Sequence, residues 1–177
     1  MGDPKRQRRR YSRPSHPWRS ERLVEEKELL KKYGLKNKKE IWRARTLIGR
    51  FRQQARSLLA SSGETVEKDK KELLDKLNRL GILESRSLDD ILALTVEDLL
   101  DRRLQTIIHK KGLAGTLKQA RQLVVHGHVL VGDNAVNVPA YVVSKEEEDT
   151  IKVSDKIKVI KIGEGDKAKE AAPKEAG

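Results

Sequence analysis

Hydrophobic positions recur at helical period along most of this chain and change to strand-like runs only near its end. Ile41, Ala44, Ile48, Phe51, Ala55 and Leu58 keep a 3.6-residue rhythm, which predicts a long amphipathic helix that opens after Asn37 and closes at Ser61-Ser62-Gly63. Residues 23–33 predict a short helix of mixed charge stopped by Gly34. Leu73, Leu77 and Leu80 mark another, ended by Gly81. Four pairs carry the spacing of an N-terminal cap: Asn37 with Glu40, Ser87 with Asp90, Thr95 with Asp98, and Thr116 with Gln119. A helix from Val96 is expected to run through Arg102-Arg103 to about Lys111. After Thr116, Leu117, Ala120, Leu123 and Val124 share one face, and Gly127 stands where a left-handed C-terminal cap belongs.

Beyond His128 the pattern predicts strands. Residues 129–131, 136–138 and 141–143 are short β-branched runs between turn residues, and Pro139 suits an edge or corner. Ile157, Val159 and Ile162, with lysines between them, predict a last strand, and residues 163–177 have no period and are expected to be disordered. The fold class is therefore α+β: an extended basic arm (1–22), a helical domain (23–101), a module of two helices packed on a short antiparallel sheet (102–162), and a disordered tail (163–177).

Charge says what such a fold is for. Charged residues make up 37% of the chain and hydrophobic ones 36%, so the core must be thin. The net charge of +12 and a pI near 9.9 point to a polyanionic partner. With aromatics at 3%, base stacking on exposed rings is not the main mode of binding. No cysteine is present, which excludes a disulfide framework and a thiolate zinc site. No apolar run reaches the ~18–20 residues of a membrane span, and no signal peptide is visible, so a soluble, intracellular protein is expected.

The positive charge is not spread evenly. Residues 1–22 hold eight Lys/Arg against Asp3 and Glu21, and three prolines deny them a regular helix. This arm is expected to order against nucleic-acid backbone, with Trp18 as an anchor or stacking ring. Residues 36–56 carry a net +7 with Glu40 as the only acid. Arg43, Arg45, Arg50, Arg52 and Arg56 are thereby candidates for phosphate, which the planar guanidinium can contact through two donors at once. Residues 64–101 have the opposite sign, net −5, and are expected to form the back of the helical domain. Residues 102–128 hold six Lys/Arg and no acid. There Lys118, Arg121 and Gln122 form a row of long donors at i, i+3 and i+4, beside His126 and His128. A one-sign face of this kind calls for an anion.

These last residues carry a resemblance. Arg103-Leu104, Thr116, Ala120-Arg121-Gln122-Leu123-Val124, His126-Gly127-His128-Val129-Leu130-Val131 and Val138-Pro139 resemble the small RNA-binding module named after ribosomal protein S-four, over roughly a quarter of the chain. Gly132-Asp133-Asn134 stands where that family often has Asn-Gly, and residues 144–150 read as an insertion before Ser154-Asp155. The stretch 19–44 is similar to the N-terminal region of the same family in its archaeal/eukaryotic type. The resemblance implies RNA contact by Arg103, Thr116, Lys118, Arg121, Gln122, His126 and His128. Lys111 and Gln119 are further candidates, and Arg121→Ala is expected to weaken binding without unfolding the module. It implies a structural constituent of the small ribosomal subunit, cytoplasmic and in the ribosome. Such a protein would bind the 5′ domain of small-subunit rRNA early in assembly and affect translational accuracy. Its partners would include the neighbouring protein S-five and the messenger where it enters.

No catalytic constellation accompanies this. The chain lacks a Walker-type loop, GxSxG and HExxH, and His126 with His128 suit hydrogen bonding to phosphate or 2′-OH better than acid–base work. No cofactor or metal is called for, and no enzyme is expected. Pseudouridine synthases and tyrosyl-tRNA synthetases use a similar module, but the hundred or so residues outside it are too few for their catalytic domains. A free-standing RNA chaperone or stress factor acting on ribosomal particles is the alternative function.

Overall fold

The computed structural model describes residues 10–83 and 87–154. The expected last strand and the tail lie outside the described residues, as do the first nine residues of the arm. Residues 10–19 run without helix, and α1 (Ser20–Lys32) starts three residues earlier than its apolar pattern suggested. The long helix α2 (Lys38–Ala60) follows. It buries Ile41, Ala44, Ile48, Phe51 and Ala55, the stripe read from the sequence. Then come α3 (Glu64–Arg79), α4 (Leu88–Ala93) and α5 (Val96–Asp101). Tyr33, Ile48, Phe51, Leu77, Ile91 and Leu100 from these helices lie in one apolar cluster. Each fully buried aliphatic or aromatic side chain there contributes about 1.5–3 kcal/mol relative to exposure.

A second cluster lies C-terminal to it. It joins Leu104, Ile107 and Ile108 of α6 (Leu104–Lys110) to Ala120, Leu123 and Val124 of α7 (Leu117–Val125) and to Val129, Val131, Val143 and Ile151. The sheet is antiparallel, in the order β2 (Asn134–Ala135), β1 (Val129–Val131), β3 (Ile151–Val153). Helix α7 ends as its sequence indicates: Gly127 has φ +72°, and the N–H groups of Gly127 and His128 donate to the carbonyls of Val124 and Leu123 at 2.9 and 3.0 Å.

Four expectations are corrected here. The helix from Val96 does not run on to Lys111. It breaks at Arg102-Arg103 because those residues bond sideways: Leu104 N–H donates to Tyr141 O at 2.8 Å and Val143 N–H to Arg102 O at 3.0 Å. The Thr106 hydroxyl then closes α5 by donating to Leu100 O at 2.8 Å. Second, residues 141–143 supply one bridge, Arg103 to Val142, rather than a strand of the sheet. Third, the strand after the turn is Asn134–Ala135 rather than 136–138. Fourth, a strand that was not expected, β3, follows the stretch read as an insertion, which contains α8 (Lys145–Glu148) held by a Ser144/Glu147 capping box, and it is the other partner of β1.

The caps divide in the same way. Ser87 accepts from Asp90 N–H at 3.3 Å, and Thr95 and Asp98 form a full box. Thr116 accepts from Gln119 N–H at 3.2 Å, but the Gln119 carbonyl oxygen accepts from Gly115 N–H at 2.9 Å, one residue upstream of the reciprocal partner expected. Thr116→Ala should cost about 1 kcal/mol in urea unfolding. A loss near zero would show that the cap carries no weight. At Asn37 no side-chain cap forms at all, and Glu40 is turned elsewhere.

Candidate nucleic-acid interface

Glu40 is the hinge of the site. Its carboxylate accepts from Arg103 Nη2 at 2.6 Å, from Arg121 Nη2 at 2.9 Å and from Arg121 Nη1 at 3.3 Å. Three elements meet there: the first turn of α2, the N-cap residue of α6 and the middle of α7. Burial pushes the Glu40 carboxyl toward protonation, but the hydrogen bonds and charge of Arg121 and Arg103 outweigh it and hold its pKa below the ordinary 4.5. Gln105 completes the junction. Its side-chain amide is buried and donates to the carbonyls of Tyr33, Gly34 and Leu117 at 3.1, 3.2 and 3.2 Å, while its oxygen accepts from Arg121 at 3.3 Å. The chain reverses tightly beside it: Gly34 has φ +57°, and a Cβ there would sit 3.0 Å from that of Leu117.

Arg102 ties the two clusters a second time. Its guanidinium donates to Leu80 O at 3.1 Å, to the Glu148 carboxylate at 2.7 Å and to Val143 O at 3.2 Å. The six cations between residues 102 and 128 therefore do not lack counter-charge. Glu148 answers Arg102, Glu40 answers Arg103 and Arg121, Asp101 lies 3.2 Å from Lys110, and Asp149 lies 3.8 Å from Lys111. Lys118 alone of the six has no acid partner among the described residues. The local sum of charge missed this because every one of those acids lies outside the window.

Several candidate residues have partners within the fold. Arg103 is buried against Glu40 and pairs with it across the junction. Lys111 donates to the Glu148 carbonyl at the end of α8. Arg52 donates to the carbonyl of Leu94, just past α4. Thr116 and Gln119 take part in their cap, and Arg121 points partly into the junction, where it pairs with Glu40. What stays at the surface is Arg43, Arg45, Arg50 and Arg56 on α2, and Lys118, Gln122 and His126 on or just after α7. His126 and the half-buried His128 stack with ring centroids 6.1 Å apart, and with Gln119, Gln122 and Leu123 they line a groove of about 340 Å³. Trp18 is 88% exposed and free to meet a partner, whereas Trp42 is tied down by its indole N–H, which donates to buried Glu26 at 2.9 Å.

Sequence reasoning missed Glu40, Gln105 and Glu26. The first had a signal, as the one acid in a strongly basic stretch, and Gln105 had one as a polar residue inside the apolar run 104–108. Among the described residues no group of three His, Asp or Glu could hold a metal ion, and no helix is long and apolar enough to cross a membrane.

Residues 102–151 match the S4 domain family. That segment begins at the Arg102-Arg103 break and reaches the first residue of β3. Beyond it, the chain is 53% identical over 152 residues to the small ribosomal subunit protein uS4 of Hyperthermus butylicus, covering 85% of this chain and 86% of that protein. The chain belongs to the small ribosomal subunit protein uS4 family. Further uS4 relatives are those of Methanothermobacter thermautotrophicus, 51% identical over 85% of this chain and 89% of that protein, and of Nanoarchaeum equitans, 52% identical over 82% and 83%. With 85% of the chain aligned, the uS4 likeness extends well beyond the S4 domain into the helical part that carries Glu40 and the α2 arginines.

Proposed function

We propose that the protein is a built-in structural component of the small ribosomal subunit that binds the 5′ domain of its rRNA early in assembly and influences decoding accuracy. The observation that carries this reading is the family likeness over 85% of the chain. The geometry supports it: α2 shows water a row of arginines with no acid partner among the described residues, and a buried ionic junction holds α7 beside the start of that helix. Arg43, Arg45, Arg50, Arg56, Lys118, Gln122, His126 and His128 contact RNA, chiefly its backbone. Arg103, Arg121, Lys111 and Arg52 keep the two surfaces in register. Positioning, with specificity from the shape of an RNA junction, is the mechanism. The protein S-five and the incoming messenger are its further neighbours, and the site of action is the ribosome.

Sedimentation of cell extract at low and at high salt tests the reading. The expected result is stoichiometric migration with the small subunit that survives high salt. Release at high salt, or a substoichiometric signal, would overturn the built-in role.

A further inference from the structure

Gly49 lies in the middle of the 23-residue helix α2, where glycine weakens a helix relative to alanine. Nothing inside the described chain explains it. Its φ is not positive, and a Cβ built there would meet no atom within 4 Å. The residue faces a groove of about 500 Å³ between α2 and the arm, bordered by Arg13, Pro14, Arg45, Arg50 and Gln53. The far wall is held in place: Ser12 N–H donates to the Thr46 hydroxyl at 3.0 Å, which itself donates to Trp42 O at 2.7 Å. Arg13, Arg45 and Arg50 are exposed and have no acid partner among the described residues.

We propose that this groove seats the sugar–phosphate backbone of small-subunit rRNA directly against helix α2, with Gly49 as the point of closest approach. Three guanidinium groups suit phosphate oxygens, and the missing side chain lets a ribose reach the helix backbone. A protein strand would have to bring several acids to the same spot, and RNA brings one charge per nucleotide. The inference deepens the proposed function and rests on it.

The test uses the full chain and a transcript of the 5′ domain of small-subunit rRNA. Gly49→Ala should raise Tm and yet weaken RNA binding a few-fold, because its Cβ stands at the point of closest approach. A lowered Tm would mean that the glycine has a reason inside the chain, and would overturn the argument. Gly49→Gln, with helicity checked by circular dichroism, should fill the groove and weaken binding about tenfold, the scale of one lost charge-assisted hydrogen bond. Ser57→Gln, on the same helix but outside the groove, should bind as wild type. Should Gly49→Gln bind as wild type, the groove is not the seat and the ribosomal reading still stands. Should the wild type fail to bind the transcript, both fall. The chain has no cysteine, so Gln53→Cys provides a unique attachment point for an iron chelate. Cleavage confined to one short stretch of backbone supports the seat, and absent or scattered cleavage overturns it.

Discussion

Glu40→Ala should destabilise the protein by about 3–5 kcal/mol in urea unfolding, the usual cost of removing one partner from a buried ion pair. The side chain of Glu40 is 13% exposed and that of Arg103 is 5% exposed. The loss would leave a guanidinium in apolar surroundings with one carboxylate fewer to bond. Arg103→Met should also destabilise. The double variant should lose less than the sum of the two, because the uncompensated charge disappears with its partner. Additive losses would show that the two residues do not act as a pair. The pH dependence has a definite sign. A carboxyl whose folded pKa lies below its ordinary 4.5 contributes its stability above that value and loses it as the pH falls through the lower, folded one. Wild type should therefore lose stability relative to Glu40→Gln as the solution is acidified below about pH 4.5. An unchanged difference across that range would sink the assignment. The same junction revises the outlook for Arg121→Ala: a loss of stability should accompany any loss of RNA binding, since Arg121 shares the carboxylate.

Binding to the rRNA transcript should weaken roughly a thousandfold between ~50 and ~200 mM salt. The figure comes from the cations left at the surface. Nine Lys/Arg were candidates in the sequence. Arg103, Lys111, Arg121 and Arg52 are engaged within the fold, which leaves five: Arg43, Arg45, Arg50, Arg56 and Lys118. Arg13 in the groove makes six. Six phosphates give a log–log slope near −5 on duplex RNA treated like B-form DNA, and the slope is shallower on single strands. Arg45→Gln with Arg50→Gln should reduce that slope by about 2, one for each phosphate contact, and leave urea unfolding nearly unchanged. Arg103→Met should do the reverse, lowering stability while keeping the slope. A steepness that ignored the α2 arginines and responded to Arg103 would invert the division between contact and positioning residues.

How much of this was legible in the sequence varied with the range of the interaction. Helix α2 was readable because Ile41 to Ala55 repeats at a local period, and a face that repeats locally can be recognised locally. The closing turn at Gly127 and the caps at Ser87 and Thr95 were readable for the same reason, since each is completed within a few residues. The strand Ile151–Val153 was not. Three residues beside a charged turn carry no period, and they become a strand by pairing with Val129–Val131, 20 to 24 positions away. The break at Arg102-Arg103 was hidden too, because its cause is the backbone of residues 141–143.

By itself, then, the sequence determined the α+β class, the buried stripe of α2, the capped basic helix after Thr116 and the resemblance that named a ribosomal family. Each rests on neighbours along the chain or on a pattern of adjacent residues. Only the tertiary structure decided which cations have an acid partner within the fold. Charge is summed through space rather than along the chain, and Glu40 lies 63 positions from Arg103 and 81 from Arg121. The fold draws those charges together, so Arg103 and Arg121 share the Glu40 carboxylate while Lys118 has no acid partner among the described residues.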